Sequence, residues 1–187
     1  TELSLSAAKG AGSNVVGVDG LNSLAACLLE NSILYSIDLS CAGVPSSQLG
    51  NLGDAIKKNA TLNILNLSSN QIGLRLVDFI SGPLNLYELN LSSTGLETKH
   101  CSTLLRYLKD STIKVLNLSS NSLGNVFVKK LYFALKDQHS LTKIDLSNNQ
   151  IGAKCSEYLV SSLREVESIK DFAIAGNPLR DVCVSRV

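Results

Sequence analysis

The sequence predicts an α/β repeat solenoid: a curved stack of parallel strands on its concave face and helices on its convex face. Three observations predict it. A phrase of the form L-x-x-L-x-L-x-x-N-x-L recurs with its first position at Leu34, Leu62, Leu86, Ile113, Leu141 and Ile169, giving spacings of 28, 24, 27, 28 and 28 residues. Within each copy the L-x-L segment alternates apolar and polar with the period of a strand, as at Leu65 and Leu67 or Leu116 and Leu118. Beyond the Asn the apolar spacing lengthens to four, as in Phe127, Leu131 and Leu135 or Cys155, Leu159 and Leu163, which is helical spacing. No unit of this size buries its apolar face alone, so stacking supplies the core, and strands narrower than helices bend the stack.

Taken in order, the first unit (1–33) is partial, because Leu3 and Leu5 match the fourth and sixth positions of a repeat whose first position would precede Thr1. It is about six residues longer than its neighbours, and the excess falls in Gly10 to Gly20, which predicts a protruding loop. In the Leu34 repeat Ala42 replaces the ninth-position Asn, so a less regular turn is expected there. The Leu62 repeat is short and interrupted by Ser81-Gly82-Pro83, leaving room for only a brief helix around Leu74 to Ile80. Thr94 takes the ninth position of the Leu86 repeat and retains part of the hydrogen bonding of an Asn. The Ile113 and Leu141 repeats carry full helices. The Ile169 repeat has a lean strand and a stiff turn at Ala173, Ala175, Gly176, Asn177 and Pro178. Asn70, Asn121, Asn149 and Asn177 form a structural asparagine ladder, each amide satisfying backbone groups left unpaired where strand turns to helix. Gly73, Gly95, Gly124 and Gly152 recur beside this turn, where a residue free to take positive φ helps the chain change direction. The chain reads as one domain, 1–187, and as part of a longer protein.

Composition narrows the function. The hydrophobic fraction of 44% fills a continuous core, and a net charge of +1 removes the electrostatic case for nucleic acid, which needs a dense basic face. No apolar run reaches the length of a membrane span. Cys27, Cys41, Cys101, Cys155 and Cys183 are odd in number, widely spread and without a C-x-x-C pair, so they read as small buried hydrophobes and not as disulfides or a zinc site. Asn59, Asn66, Asn90 and Asn117 lie in N-x-[ST] sequons, three of them copies of the repeat template; sugars on those three would crowd one sheet face.

Repeats of 27 to 28 residues with a full helix in most resemble the ribonuclease-inhibitor-like class of leucine-rich repeats, most clearly at Leu62 to Gly73, Ile113 to Gly124 and Leu141 to Gly152. The resemblance covers essentially the whole chain and is specific for fold, much less for function. It implies an α/β leucine-rich-repeat solenoid of six to seven repeats, in an intracellular protein of cytoplasm or nucleus, that binds other proteins.

On such a sheet the third, fifth, seventh and eighth repeat positions face the concave side. The third column reads Ser36, Ile64, Glu88, Val115, Lys143, Asp171, and the fifth reads Asp38, Asn66, Asn90, Asn117, Asp145, Ala173; the seventh and eighth are mostly Ser. Asn66, Asn90 and Asn117 offer donors and acceptors at strand spacing to a partner helix or extended peptide. The competing interpretation is that Asn and Ser are the repeat's ordinary solvent-facing filler. Ile64 and Val115, branched apolar residues at exposed strand positions on either side of Glu88, join Tyr35 and Tyr87 as the most hot-spot-like group; against this, β-branched residues suit strands and the tyrosines can pack beside them. Lys114, Lys143 and Lys170 border the group and suit a partner with apolar and acidic groups. The partner-binding set is therefore Tyr35, Asp38, Ile64, Asn66, Tyr87, Glu88, Asn90, Val115, Asn117, Lys143 and Asp145.

No catalytic, metal or cofactor constellation is apparent. His100 and His139 are expected to be solvent-facing helix residues, and His100 cannot pair with its sequence neighbour Cys101 as base and nucleophile, since consecutive helical residues diverge. The expectation is an adaptor or scaffold, monomeric as an isolated domain, with a protein or peptide partner and no direct nucleic-acid or membrane contact. A regulator of a small GTPase would need a turn-borne residue such as Arg75 or Arg180; a spacer or self-association module would stack through its open ends.

Overall fold

In a computed structural model of the chain, which describes residues 1–6, 15–136 and 138–179, three-residue strands form one seven-stranded parallel sheet. They are β1 (Glu2–Ser4), β2 (Ser36–Asp38), β3 (Ile64–Asn66), β4 (Glu88–Asn90), β5 (Val115–Asn117), β6 (Lys143–Asp145) and β7 (Asp171–Ala173), hydrogen-bonded in chain order. The register pairs equivalent repeat positions throughout, so Leu3, Ile37, Leu65, Leu89, Leu116, Ile144 and Phe172 form one row. Each of β1 to β6 returns through a helix on the other face: α1 (Val18–Glu30), α2 (Leu49–Lys58), α3 (Leu76–Phe79), α4 (Ser102–Leu108), α5 (Gly124–Leu135) and α6 (Ser156–Glu165). This is the expected solenoid, sheet concave and helices convex.

The apolar positions of the phrase build the core. Leu62, Leu65, Leu67 and Ile72, the first, fourth, sixth and eleventh of one repeat, are all buried, and their counterparts stack on them in a single continuous cluster. On the helical side Leu21, Leu24, Ala25 and Leu28 of α1 are buried at the i, i+3, i+4, i+7 spacing of one helix face. The shortened repeat has the brief helix its length allows, a 3₁₀ turn at Gly73–Arg75 followed by the four residues of α3.

Several local expectations are corrected. Val18 to Gly20 belong to α1 and not to a loop, and Val16 N–H donates to the Ala42 carbonyl at 2.8 Å; residues 10 to 14 of the expected protrusion lie outside the described residues. The turn at Ala42 is as regular as the others. Its eighth-position residue, Cys41, takes φ 55°, matching Ser69 (56°), Ser93 (55°), Ser120 (56°) and Asn148 (56°). The reason is that Asn70 of the next repeat reaches back, its Oδ1 accepting the Val44 N–H at 3.0 Å and its Nδ2 donating to the Leu39 carbonyl at 2.8 Å. Gly73, Gly95 and Gly124 do take positive φ, but Gly152 is extended and Gln150 takes the left-handed conformation (φ 59°) in that repeat.

Leu163 is exposed while Ser162 is buried, its hydroxyl donating to the Tyr158 carbonyl at 2.8 Å. At 100° per residue, seven steps from Cys155 return to within about 20° of its direction, whereas eight overshoot by about 80°. Of the cysteines expected to be buried, Cys101 and Cys155 are; Cys27 is exposed, Cys41 is half-buried, and Cys183 lies outside the described residues. Burial raises the Cys101 thiol to about 12. No described helix is long and apolar enough to cross a membrane.

Candidate functional site

The parallel register carries the third position of every repeat into one row across the sheet, with Ile64 beside Glu88, Glu88 beside Val115, Val115 beside Lys143 and Lys143 beside Asp171. Ile64 and Val115 are half-buried and not exposed as expected, because each branched side chain is flanked on both sides by its strand neighbours, Ser36 and Glu88 for the first and Glu88 and Lys143 for the second. Tyr35 and Tyr87 are open, at 45% and 44% exposure. The Lys114 ammonium sits 6.0 Å from the Tyr87 ring centroid, a cation–π distance.

The fifth column has a local task that sequence reasoning missed. Asp38, Asn66, Asn90, Asn117 and Asp145 each accept, through Oδ1, the backbone N–H two residues ahead, at 2.8, 3.0, 3.0, 2.9 and 2.8 Å. These Asx turns bend the chain out of the strand towards the left-handed eighth position. One side-chain oxygen per residue is thus engaged, and the three Asn side chains present their amide nitrogens as remaining donors. The signal was in the sequence: from Asp38 to Asp145 the column holds only Asn and Asp, whose side chains readily make this turn, and it ends with Ala173.

Electrostatics divides the row. A hollow of about 280 Å³ at the N-terminal half is lined by Glu2, Asp38 and Glu88 together with Ile64, Asn66 and Asn90. At the other end Lys143 forms a 2.7 Å ion pair with Asp171, whose hydrogen bond and charge raise the pKa of the lysine. Lys170 donates to the Glu167 carbonyl at 2.9 Å, which leaves Lys114 as the member of the expected lysine border that meets an aromatic ring.

Beneath this face lies the ninth-position row. Asn121 accepts the N–H groups of Thr94 and Leu96, both at 3.0 Å, and donates to the carbonyls of Leu91 and Leu118, both at 2.9 Å. Asn149 donates to the Leu118 and Leu146 carbonyls, and Asn177 accepts from Asn149 and Ile151. Thr94 donates its hydroxyl to the Leu91 carbonyl at 2.6 Å. A second side-chain device, at the opposite end of the strands, was not anticipated: Asn59, one of the sequon residues, is buried, accepting Thr61 and Leu62 N–H and donating to Leu28 and Asn31 carbonyls. A sugar has no access to that amide.

His100 departs from expectation as well. It is buried, and its Nδ1 accepts the Glu97 N–H at 3.1 Å in a capping box at the start of the Thr98–Cys101 turn. His139 is exposed. Arg75 pairs with Asp78 at 3.1 Å, and Arg180 lies outside the described residues. Among the described residues no three His, Cys, Asp or Glu side chains are grouped to hold a metal.

The Leucine Rich repeat family profile matches residues 58–75, 109–130 and 137–154. The chain belongs to the leucine-rich-repeat family, in its ribonuclease-inhibitor-like class. Human NACHT, LRR and PYD domains-containing protein 13 is 30% identical over 175 residues, covering 90% of this chain and 17% of that protein. The pig (Sus scrofa) ribonuclease inhibitor is 27% identical over 150 residues, covering 76% of this chain and 33% of the inhibitor. The chain therefore spans a third or less of the length of these relatives. A solved structure of leiomodin-1 actin-binding site 2 superposes with a TM-score of 0.56 at 14% identity, covering 84% of this chain and 79% of that one, which shows a shared fold. As a leucine-rich-repeat member the chain is a protein-binding repeat module.

Proposed function

We propose that the chain recognises a protein or peptide partner on its concave sheet and serves as the adaptor or scaffold part of a larger intracellular protein. One observation carries this reading. Two open tyrosines, Tyr35 and Tyr87, border a row in which Ile64, Glu88 and Val115 stand side by side on paired strands. Large rigid rings beside branched apolar groups supply contact area at low entropic cost, and Glu88 between them fixes which partner charge is accepted. The acidic lining of the neighbouring hollow favours a basic group at that end of the partner. The pig relative, an inhibitor of ribonuclease, gives the reading a precedent in the same repeat class.

A quantitative pull-down tests it, comparing the chain with an Ile64→Arg, Val115→Arg double variant after circular dichroism has shown both to be folded. A protein captured by the first and lost by the second supports the concave site. Equal capture by both assigns recognition to another face.

A further inference from the structure

The outer surface of α5 holds a group that the concave reading leaves unused. Phe133 and Val126 are exposed at 56% and 60%, and their spacing of seven places them within about 20° of each other on the helix. Phe133 is held in a cluster of rings, its centroid 5.1 Å from that of Tyr132 and 6.3 Å from that of Tyr158. Both tyrosines are fixed in turn. The Tyr132 hydroxyl donates to Glu165 at 2.6 Å, and the ammonium groups of Lys136 and Lys129 lie 5.3 and 5.4 Å from the centroids of Tyr132 and Tyr158. Lys130, also exposed, is on the same helix.

Three lysines of this helix region, Lys129, Lys130 and Lys136, stand around the cluster. Glu165 pairs with Lys136 at 3.6 Å, and among the described residues no carboxylate pairs with Lys129 or Lys130. We propose that this convex face of α5 is a second docking surface, which takes an acidic protein segment bearing an apolar anchor. The anchor rests on Phe133 and Val126, and flanking carboxylates reach Lys129 and Lys130. The cation–π contact keeps the Lys129 charge close to the Tyr158 ring without neutralising it, so the surface is pre-organised for an anion beside an apolar group. The net charge of +1 and the small basic area favour a protein segment over a polyanionic backbone.

The test is fluorescence anisotropy with a labelled amphipathic peptide of glutamate and leucine, and with its lysine and leucine counterpart. The acidic peptide alone should bind saturably, with an affinity weakened by salt and weakened about tenfold by Phe133→Ala. Lys129→Glu with Lys130→Glu should weaken it at least as much, and these exposed positions keep the test decisive should the Phe133 variant misfold. Ile64→Arg should leave this binding unchanged, so its failure and that of the concave reading are separable. Equal binding of the basic peptide, an affinity indifferent to all three substitutions, or displacement of the peptide by phosphatidylserine vesicles or duplex DNA at lower concentration would overturn it.

Discussion

A Cβ atom built on Gly53 would lie 2.1 Å from the carbonyl oxygen of Phe79. Gly53 is in the middle of α2, where Ala has the higher helix propensity, so the glycine is there for packing: α3 is only four residues long and its C-terminal end is drawn in against α2. Gly53→Ala should therefore destabilise the chain by about 3 kcal/mol, since backbone at that distance has to move. Urea unfolding checks it. Unchanged or increased stability would mean that α2 and α3 stand further apart.

Asn121 is the best-connected of the ninth-position residues, and Asn121→Ala strands two buried N–H groups at once, those of Thr94 and Leu96, while the Leu91 and Leu118 carbonyls keep the Thr94 hydroxyl and the Asn149 amide as donors. A loss of roughly 3 kcal/mol is expected, with faster hydrogen exchange at the Thr94 and Leu96 amides. Asn177→Ala, at a half-buried site that water can reach, should cost about 1 kcal/mol. Equal costs at the two positions would contradict the role assigned to burial.

Thiol reactivity should separate the cysteines by position. Cys27 is exposed and Cys101 is buried with its thiol raised to about 12, so a thiol reagent at neutral pH should modify Cys27 in the folded chain and Cys101 only after denaturation. Peptide mapping by mass spectrometry reads this directly.

The pH response should lie on the acid side. The hydrogen bond from Lys57 holds the Asp54 carboxyl below its ordinary value, and that from Lys99 does the same for Glu97. A lowered carboxylate contributes stability above its unfolded pKa and loses it as pH falls through the folded one, so these pairs weaken below about pH 4. Lys143 is raised by Asp171, and its contribution, present below the unfolded pKa, is lost only as pH rises through the folded value in the alkaline range. Carboxyl titration by NMR should show Asp54 return to its ordinary range in Lys57→Met.

The fold was legible because the repeat phrase fixes strand register by itself: the positions aligned by Leu34, Leu62 and Leu86 are the ones paired in β2, β3 and β4. What was not legible came from neighbours outside a repeat's own segment. Ala42 sits in a regular turn because Asn70, 28 residues on, supplies the missing amide contacts. The half-burial of Ile64 and Val115 depends on which residues flank them across strands, and His100 is buried by packing that its polar side chain does not announce. Left-handed backbone at Cys41, Ser69, Ser93 and Ser120 was hidden for another reason: these residue types seldom signal positive φ, and it is the preceding Asx turn that imposes it.

The most direct test of recognition through the sheet is site-specific photocrosslinking, with benzoylphenylalanine placed at Tyr87 on the concave border, at Phe133 on α5, and at Arg106 on the convex face of α4. A partner should crosslink from Tyr87 at the concave site, any crosslink from Phe133 should go to a separate acidic segment, and none should form from Arg106. A partner crosslinked from Arg106 and never from Tyr87 would contradict the assignment of the concave sheet as the binding face.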